Sequence, residues 1–559
     1  MTLTLQAQRG SDVRMSDVTA AAGVTFVHHN GAAGAKLLPE TLGAGAAFVD
    51  IDNDGREDLV LVEGLLPGSG DARRWATVYR NLGSGRYEDA TAALGLEVSA
   101  SEAAAATRGI EGLRYGMGIA AADADNDGFT DLAVTSVGGV RLFRNVRGTR
   151  FEDITALSGL GDRRGFSTCA MWVDYDRDGL VDLFVCNYVQ WSPRTDLFCS
   201  AESGEKAYCT PQAYRGSTSW LFRNRGGGRF EDVTATSGLF DVTGKALGVT
   251  LLDYDQDGWP DLFVANDTVP NRLYRNTGSG TFTELGMQSG LAFSADGRAR
   301  AGMGVDAAEI DGSGRPSVAV TNFSNEMVGL YMPRDEGFYV DTAPQGDIGR
   351  VTRQTLGWGC FFFDVNLDGA LDLLVVNGHL DAALARGQGQ PTHALPPHLF
   401  VNRGGRFEDI APQVGGGFAD PKIGRGASFA DIDGDGDLDV LVTTNGGPAR
   451  LYRNDTPGGS GAVRLRLRGV RANQDAIGAR VSATVAGRRV SRHVRSGSSY
   501  LSQSELTLTF GLGPAAAVED VVVWWPSGAE ERVGTLAAGT KYQITEGQGV
   551  TGRRAFVPR

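Results

Sequence analysis

AAFVDIDNDGREDLVLV, residues 46–62, carries the pattern that decides the fold: an apolar run, then Asp-x-Asp-x-Asp-Gly-x-x-Asp, then a second apolar run. Two short apolar runs joined by an Asp- and Gly-rich turn read as a β-hairpin. The pattern recurs seven times, starting at Asp50, Asp123, Asp174, Asp253, Glu309, Asp364 and Asp431. The later copies are DADNDGFTD, DYDRDGLVD, DYDQDGWPD, EIDGSGRPS, DVNLDGALD and DIDGDGDLD. The fifth is degenerate, with Ser313 and Ser317 in place of two carboxylates. A regular internal repeat marks a repeat architecture.

Two further elements follow each loop. One is VYRN at Val78, LFRN at Leu142 and Leu221, LYRN at Leu273, GLYM at Gly329, LFVN at Leu399 and LYRN at Leu451. The other is RYEDAT, RFEDIT, RFEDVT, TFTELG, GFYVDT and RFEDIA, which makes six copies. The seventh, SDVTAAAGV from Ser16, stands ahead of the first loop. Each unit then holds about four short strands, the size of a propeller blade. The N-terminal segment supplies the outer strand that the last blade lacks, which closes the ring and leaves no open edge at the join. The expected fold is an all-β, seven-bladed propeller followed by a small β-sandwich or barrel. The expected boundaries are a tail at 1–14, the ring at 15–454, a linker at 455–461, the second domain at 462–547 and a tail at 548–559.

Composition agrees. Apolar residues make up 42% and glycine 79 of 559 residues, which suits many strands and tight turns. A net charge of −14 argues against nucleic-acid binding. No apolar stretch is long enough for a membrane helix. Residues 1–15 hold no apolar core of signal-peptide length, which leaves a cytoplasmic location open beside an extracytoplasmic one.

The Asp loops suit a hard cation, which takes oxygen ligands. Positions 1, 3, 5 and 9 can converge on one ion, and the glycine at position 6 permits the bend. The candidate ligands are Asp50, Asp52, Asp54 and Asp58; Asp123, Asp125, Asp127 and Asp131; Asp174, Asp176, Asp178 and Asp182; Asp253, Asp255, Asp257 and Asp261; Asp364, Asn366, Asp368 and Asp372; Asp431, Asp433, Asp435 and Asp439. Crowded carboxylates without a cation would repel and raise each other's pKa. Several structural Ca2+ ions are expected. The plainer alternative is a set of solvated Asp turns.

These repeats, with their LYRN and FEDVT elements, resemble the FG-GAP/VCBS repeats of integrin-like propellers. The stretch IGARVSATVAGRRVSRHVRSGSSYLSQSELTLTFGLG with VEDVVVWWPSG is similar to the ASPIC/UnbV domain, which follows such propellers in bacterial proteins and in the cartilage acidic protein-like family. The resemblance implies an extracytoplasmic adhesion or interaction protein. Because the UnbV label also comes from natural-product biosynthesis, it also admits an enzyme. No phosphate loop, dinucleotide fingerprint, HExxH or GxSxG motif is present.

In the C-terminal part, VRLRLRG, ARVSATVAG, RRVSRHV, LTLTFGLG and DVVVWWP alternate as strands do. Their arginines, Arg464, Arg466, Arg468, Arg480, Arg488, Arg489, Arg492 and Arg495, read as a solvated face or as a basic surface for an acidic partner or the propeller's own acidic face.

A ligand is expected on the face opposite the Asp loops, where long insertions run from Asn187 to Gly216 and from Asn377 to Pro397. His28, His29, His379, His393 and His398 map to that face and are candidates for acid/base or metal chemistry; hydrogen-bonded loop histidines are the alternative. Arg114, Arg164, Lys245, Arg300, Arg353 and Lys422 precede the inner strands and can ring the channel mouth with positive charge, or pair locally. Tyr188, Asn266 and Asn322 are further ligand candidates, the asparagines alternatively capping their loops. Cys199 and Cys209 can close a disulfide, while Cys169 and Cys186 flank one hairpin and Cys360 sits in an apolar run. The sequence therefore supports a calcium-stabilised binding protein for a macromolecule, a glycan or a small anionic ligand. The alternative is a cyclase, lyase, isomerase or hydrolase without organic cofactor, acting on a small, neutral or anionic, natural-product-like substrate at the channel mouth.

Overall fold

The computed structural model describes residues 13–64, 74–97, 115–200, 204–334, 337–382, 392–457 and 461–558. Seven four-stranded antiparallel sheets follow the repeats. Their innermost strands are Ala46–Val49, Tyr115–Ala122, Ser167–Val173, Ala246–Leu252, Val305–Ala308, Gly357–Phe363 and Gly424–Ala430. Each packs against the inner strand of both flanking sheets, all the way round, so the sheets are the blades of a closed ring. We number the blades I to VII in that order. These strands are almost wholly buried on both faces, which is why they read as continuous apolar runs instead of alternating ones.

The ring closes as the displaced repeat element implied. Met15–Asp17 pairs antiparallel with Arg450–Asn454 as the outer strand of blade VII, with Met15 opposite Asn454 and Asp17 opposite Tyr452. Beside it, Val13 and Met15 join the apolar core between blades VI and VII.

The Asn that ends the LYRN-type element staples neighbouring blades. Asn276 Nδ2 in blade IV donates to the Tyr175 carbonyl of blade III at 2.8 Å. Asn81, Asn145, Asn224, Asn402 and Asn454 do the same toward Ile432, Ile51, Ala124, Ile310 and Val365. The acceptor is always the second loop residue of the preceding blade. Blade V carries Pro333 at this position and donates no such bond.

The C-terminal part forms two four-stranded sheets. One holds Ala462–Arg468, Leu508–Gly511, Thr540–Thr545 and Gly549–Ala555; the other holds Arg480–Val485, Arg488–His493, Ala517–Trp524 and Glu530–Ala537. Ala462–Arg468 and Thr540–Thr545 run parallel. Residues 549–555, expected within a tail, are an edge strand on Thr540–Thr545. Their glycines and exposed arginines give no apolar alternation by which to recognise a strand.

This domain is built into the ring. Its core is continuous with that of blades II and III, where Trp172 and Phe222 join Val463, Val481 and Trp525 in one cluster. Residues 494–505 leave the domain as a strap that enters the central channel. Ser499 exchanges two backbone hydrogen bonds with Val305 of blade V (2.7 and 2.9 Å). The Leu501 carbonyl accepts from Ile119 in blade II, and Gln503 bonds to Ala46 and Phe48 in blade I. The Gln503 side chain pairs with both backbone groups of Ala121. Glycines make the room: a Cβ on Gly45 would meet the Leu501 carbonyl, and one on Gly359 would stand 3.0 Å from Ser499 Oγ.

Replacing Asn276 by Ala removes the interblade bond and leaves the Tyr175 carbonyl unpaired. We expect a loss of about 1–3 kcal/mol in denaturant unfolding, against under about 0.5 kcal/mol for Thr277→Ala at the exposed neighbouring position. Equal effects would contradict the staple.

Candidate functional site

Each Asp loop is shaped by its first and last carboxylates. Asp50 Oδ1 and Oδ2 accept the N–H groups of Asp54 and Gly55 at 3.0 and 2.9 Å, which curls the loop around position 1. The bend needs left-handed backbone at positions 4 and 6: Asn53 has φ 60° and Gly55 φ 85°. The position-9 Asp locks the loop to the blade. Asp58 Oδ2 accepts Ile51 N–H and Oδ1 accepts Asn81 N–H (3.1 and 2.7 Å). Asp131, Asp182, Asp261, Asp372 and Asp439 repeat both bonds.

In blades I, II, III, IV and VII, three carboxylates bring oxygens within 4.8 Å of one another: Asp50, Asp52 and Asp54; Asp123, Asp125 and Asp127; Asp174, Asp176 and Asp182; Asp253, Asp255 and Asp261; Asp431, Asp433 and Asp439. Buried oxygens of Asp52, Asp174, Asp176 and Asp253 lack hydrogen-bond partners. An all-oxygen set with orphaned acceptors fits a divalent cation. In blade VI, Asn366 takes position 3 and its amide donates to Asp368 at 3.0 Å. In blade V, Glu309 accepts the N–H groups of Asp311 and Gly312, and Ser313 and Ser317 bring no carboxylate.

Burial dominates the electrostatics. It pushes Asp58 and Asp261 up to about 8, against the pull of their backbone hydrogen bonds. Burial and then neighbouring carboxylates raise Asp123 and Asp174 to about 7. These groups are held partly neutral unless a cation supplies the missing charge.

The C-terminal domain lies against this acidic face. Arg464 donates to Asp431 at 2.5 Å and also pairs with Glu505, all three being buried. Asp475 accepts Asp123 N–H at 2.7 Å and pairs with Arg466. Arg495 pairs with Asp306 at 2.9 Å, and Arg492 lies near Asp364 and Glu309. Several of the sequence's arginines thus meet the propeller's own acidic groups, whereas Arg468, Arg488 and Arg489 remain exposed.

On the opposite face, the Asn187–Gly216 insertion carries the Cys199–Cys209 disulfide and a small hairpin of Cys199–Ser200 and Lys206–Ala207. Cys169, Cys186 and Cys360 are buried free thiols. The insertion delivers Tyr208, whose hydroxyl donates to Glu40 Oε2 at 2.8 Å. Glu40 lies on a short turn, Leu38–Thr41, between the N-terminal strand and blade I. Tyr188 is buried, its hydroxyl 2.5 Å from Asp267.

Of the histidines, His28 and His393 gather around Arg425, and His379 neighbours His393. Burial, with His29 and Arg425 adding to it, lowers His28 to about 3. His29 is exposed near Glu63. His398 stands apart, 2.8 Å from Asp409 in blade VI. Arg425 is wholly buried, stacks on Trp358 at 4.1 Å, and donates to the carbonyls of Thr41, Gly378, Gly424 and His379. Tyr500, from the strap, packs on Trp358 and donates to the Leu42 carbonyl. The channel is therefore filled by the chain itself up to this cluster.

The basic register divides. Lys245 is tied to the Pro211 carbonyl, Arg300 pairs with Asp341, and Lys422 donates to the Gly417, Phe418 and Asp420 carbonyls. Arg164 and Arg353 are exposed. Arg114 lies outside the described residues. Asn266 and Asn322 donate to Pro270 and Met327 within their own loops. Glu40, Tyr115, Tyr208 and Arg425 went unread in the sequence. Of these, only Arg425 sat inside a recurring pattern, the Gly-x-Gly before five of the seven loops.

A family model described as FG-GAP-like repeat matches residues 50–134, 123–185, 194–264, 253–320 and 376–442. One described as ASPIC and UnbV matches residues 469–551. Cartilage acidic protein 1 of Homo sapiens is 26% identical over 245 residues, 41% of this chain and 31% of that protein. That of Xenopus tropicalis is 26% identical over 196 residues, 34% and 27%. The matched stretch spans under a third of either relative's length. Among solved structures, an Agrocybe aegerita lectin that recognises non-reducing terminal N-acetylglucosamine is 16% identical, covering 62% of this chain and 83% of its own, with a TM-score of 0.36. BBS1N in complex with ARL6DN is 12% identical over 74% and 93%, with a TM-score of 0.40.

Chelation is expected to lower the melting temperature, with a wider gap between metal-loaded and metal-free protein at pH 8 than at pH 5. In the metal-free fold, carboxylates raised to about 7 or 8 hold protons that the unfolded chain has released. That fold therefore loses stability as pH rises from the ordinary Asp range toward 8. Metal binding strengthens over the same range, since its ligands must be ionised. Scanning fluorimetry at both pH values checks this; an equal gap, or none, would contradict it.

Proposed function

Since this chain belongs to the FG-GAP-like repeat family and carries an ASPIC and UnbV domain behind its repeats, we propose that it is an extracytoplasmic interaction protein: a calcium-stabilised propeller that recognises a macromolecule or glycan on the face opposite its Asp loops. Calcium is supported by the carboxylate-only clusters, whose oxygens suit a hard cation of flexible geometry. The compartment is supported by the Cys199–Cys209 disulfide.

The observation that carries the choice of face is the strap. The C-terminal domain covers acidic loops and fills the channel, so the long insertions stand on the side left open. There, Leu197 and Phe198 beside the disulfide are 41% and 69% exposed, an apolar tip on a cross-linked loop. Arg353 adds an exposed cation.

A second reading is an enzyme without organic cofactor, a cyclase, lyase, isomerase or hydrolase on a small, neutral or anionic, natural-product-like substrate. The buried cluster of His28, Glu40, Tyr115 and Arg425 favours it, because desolvated titratable groups in one place are what acid/base chemistry uses.

An array of matrix proteins and glycans, probed with wild type and variants, tests the face. Phe198→Ser with Arg353→Glu is expected to cut the strongest signals at least about tenfold, equivalent to 1.4 kcal/mol. Arg532→Glu, on an outer strand of the C-terminal domain, is expected to leave them unchanged. The reverse pattern would place recognition on the wrong face.

A further inference from the structure

Between blades I and II and the C-terminal domain, the structure leaves a cavity of about 440 Å³. Small-molecule sites run to about 300–1,000 Å³. One wall comes from loops I and II, with Asp50, Asp54, Glu57 and Asp123. The other is the sheet of Ala462–Arg468, Thr540–Thr545 and Gly549–Ala555.

The acids around this cavity are already committed. Asp475 pairs with Arg466 and accepts Asp123 N–H. Asp54 pairs with Arg56. Asp50 and Asp123 accept the N–H groups that curl their own loops. Glu57 is buried in the field of Arg464 and Arg466.

The bases are not. Among the described residues, Lys541, Arg553 and Arg554 form no ion pair and no side-chain hydrogen bond, and Arg468 bonds only to the neutral Gln474 amide. Lys541 acts on Glu505, but Arg464 already holds that carboxylate. The uncommitted charge lining the cavity is therefore positive.

The sheet sharpens this. Lys541 stands directly opposite Arg554 in the antiparallel pair, and beside Arg464 in the parallel one. Like charges set opposite each other across two strands are destabilising. Arg464 is neutralised by Asp431 and Glu505, whereas no carboxylate pairs with Lys541 or Arg554. Arg554 reaches the bend of loop I, where a Cβ on Gly55 would stand 3.5 Å from its Nη1. An oxyanion shared by the two cations turns their repulsion into charge-assisted hydrogen bonds. The rest of the cavity leaves room for an organic group beside it.

We propose that this cavity binds a phosphate or sulfate monoester of monosaccharide size, its oxyanion held by Lys541 and Arg554. Asp50, Asp54 and Asp123 on the facing wall oppose an anion until they are neutralised, so the ester binds more tightly when loops I and II hold their cations. By reciprocity the ester tightens metal binding by the same factor. The linkage rests on the calcium reading of the loops, whereas the oxyanion clamp rests on the cavity and the sheet alone.

Isothermal titration calorimetry on the full-length, metal-loaded protein tests it with glucose 6-phosphate, glucose 6-sulfate and glucose. At least one ester is expected to bind and glucose is not; the ester preferred tells phosphate from sulfate. Lys541→Gln and Arg554→Gln should each weaken binding about tenfold or more, while Arg532→Gln, on the outer strand Glu530–Ala537, should leave it unchanged. Relief of the like-charge pair should leave the ligand-free melting temperature of both variants level or higher. Binding of neither ester, equal binding of glucose, or equal affinity in wild type and both variants would overturn the site. So would a lower ligand-free melting temperature in both variants, the sign that these cations only hold the domain to the acidic loops. After the metal is stripped and the chelator dialysed away, ester affinity should fall about fivefold or more. Equal affinity in a sample shown by elemental mass spectrometry to have lost its ions would break the linkage and leave the clamp standing. A protein that never held ions yet binds the ester would sink the calcium reading and again leave the clamp.

Discussion

Crowded, desolvated carboxylate is the constraint on which this molecule depends. The position-9 Asp of each intact loop spends both oxygens on backbone N–H groups, one at the loop start and one at the Asn ending the third strand. That Asn then reaches into the preceding blade. A single carboxylate thus ties loop, blade and ring together, and it does so where burial opposes its charge. The carboxylates at positions 1 and 3 crowd the same spot, so the geometry that joins the blades also creates a demand for cations. Blade V is the exception: with Ser317 at position 9 and Pro333 in place of the Asn, it has lost both the cluster and the staple.

The same constraint explains why the C-terminal domain sits where it does. A face of partly buried acids attracts a domain that presents Arg464, Arg466, Arg492 and Arg495. Once docked, its strap exchanges backbone hydrogen bonds with inner strands that would otherwise line an open channel. Tyr500 carries it through to the cluster beneath the opposite face. The propeller and the second domain therefore form one folded unit, and the far side of the ring stands over a floor partly supplied by the C-terminal domain.

Much of this was legible in the sequence because repetition makes weak signals add. Seven loops in register fixed the number of blades, and the misplaced SDVTAAAGV located the closing strand. The Gly-x-Gly before five of the loops, as in GAGAA, GMGVD and GRGAS, carries no local sign of its role: its second glycine clears room for a strap distant in sequence. Long-range partners leave no local trace. Nothing near Glu40 announces Tyr208, and nothing near Asp123 announces Asp475. The histidines were grouped by face alone; His28, His379 and His393 lie around Arg425, whereas His398 pairs with Asp409. The basic residues shared a register, yet Lys245 and Lys422 spend their charge on nearby carbonyls.

The most direct measurement is the number of divalent ions retained per folded chain, by elemental mass spectrometry after exhaustive dialysis into metal-free buffer without chelator. Five carboxylate triads predict about five ions, all released together when the ring is unfolded. A chain that keeps its β-rich structure at neutral pH with no bound metal would show that hydrogen bonds and protons alone can hold these acids, and would contradict the account.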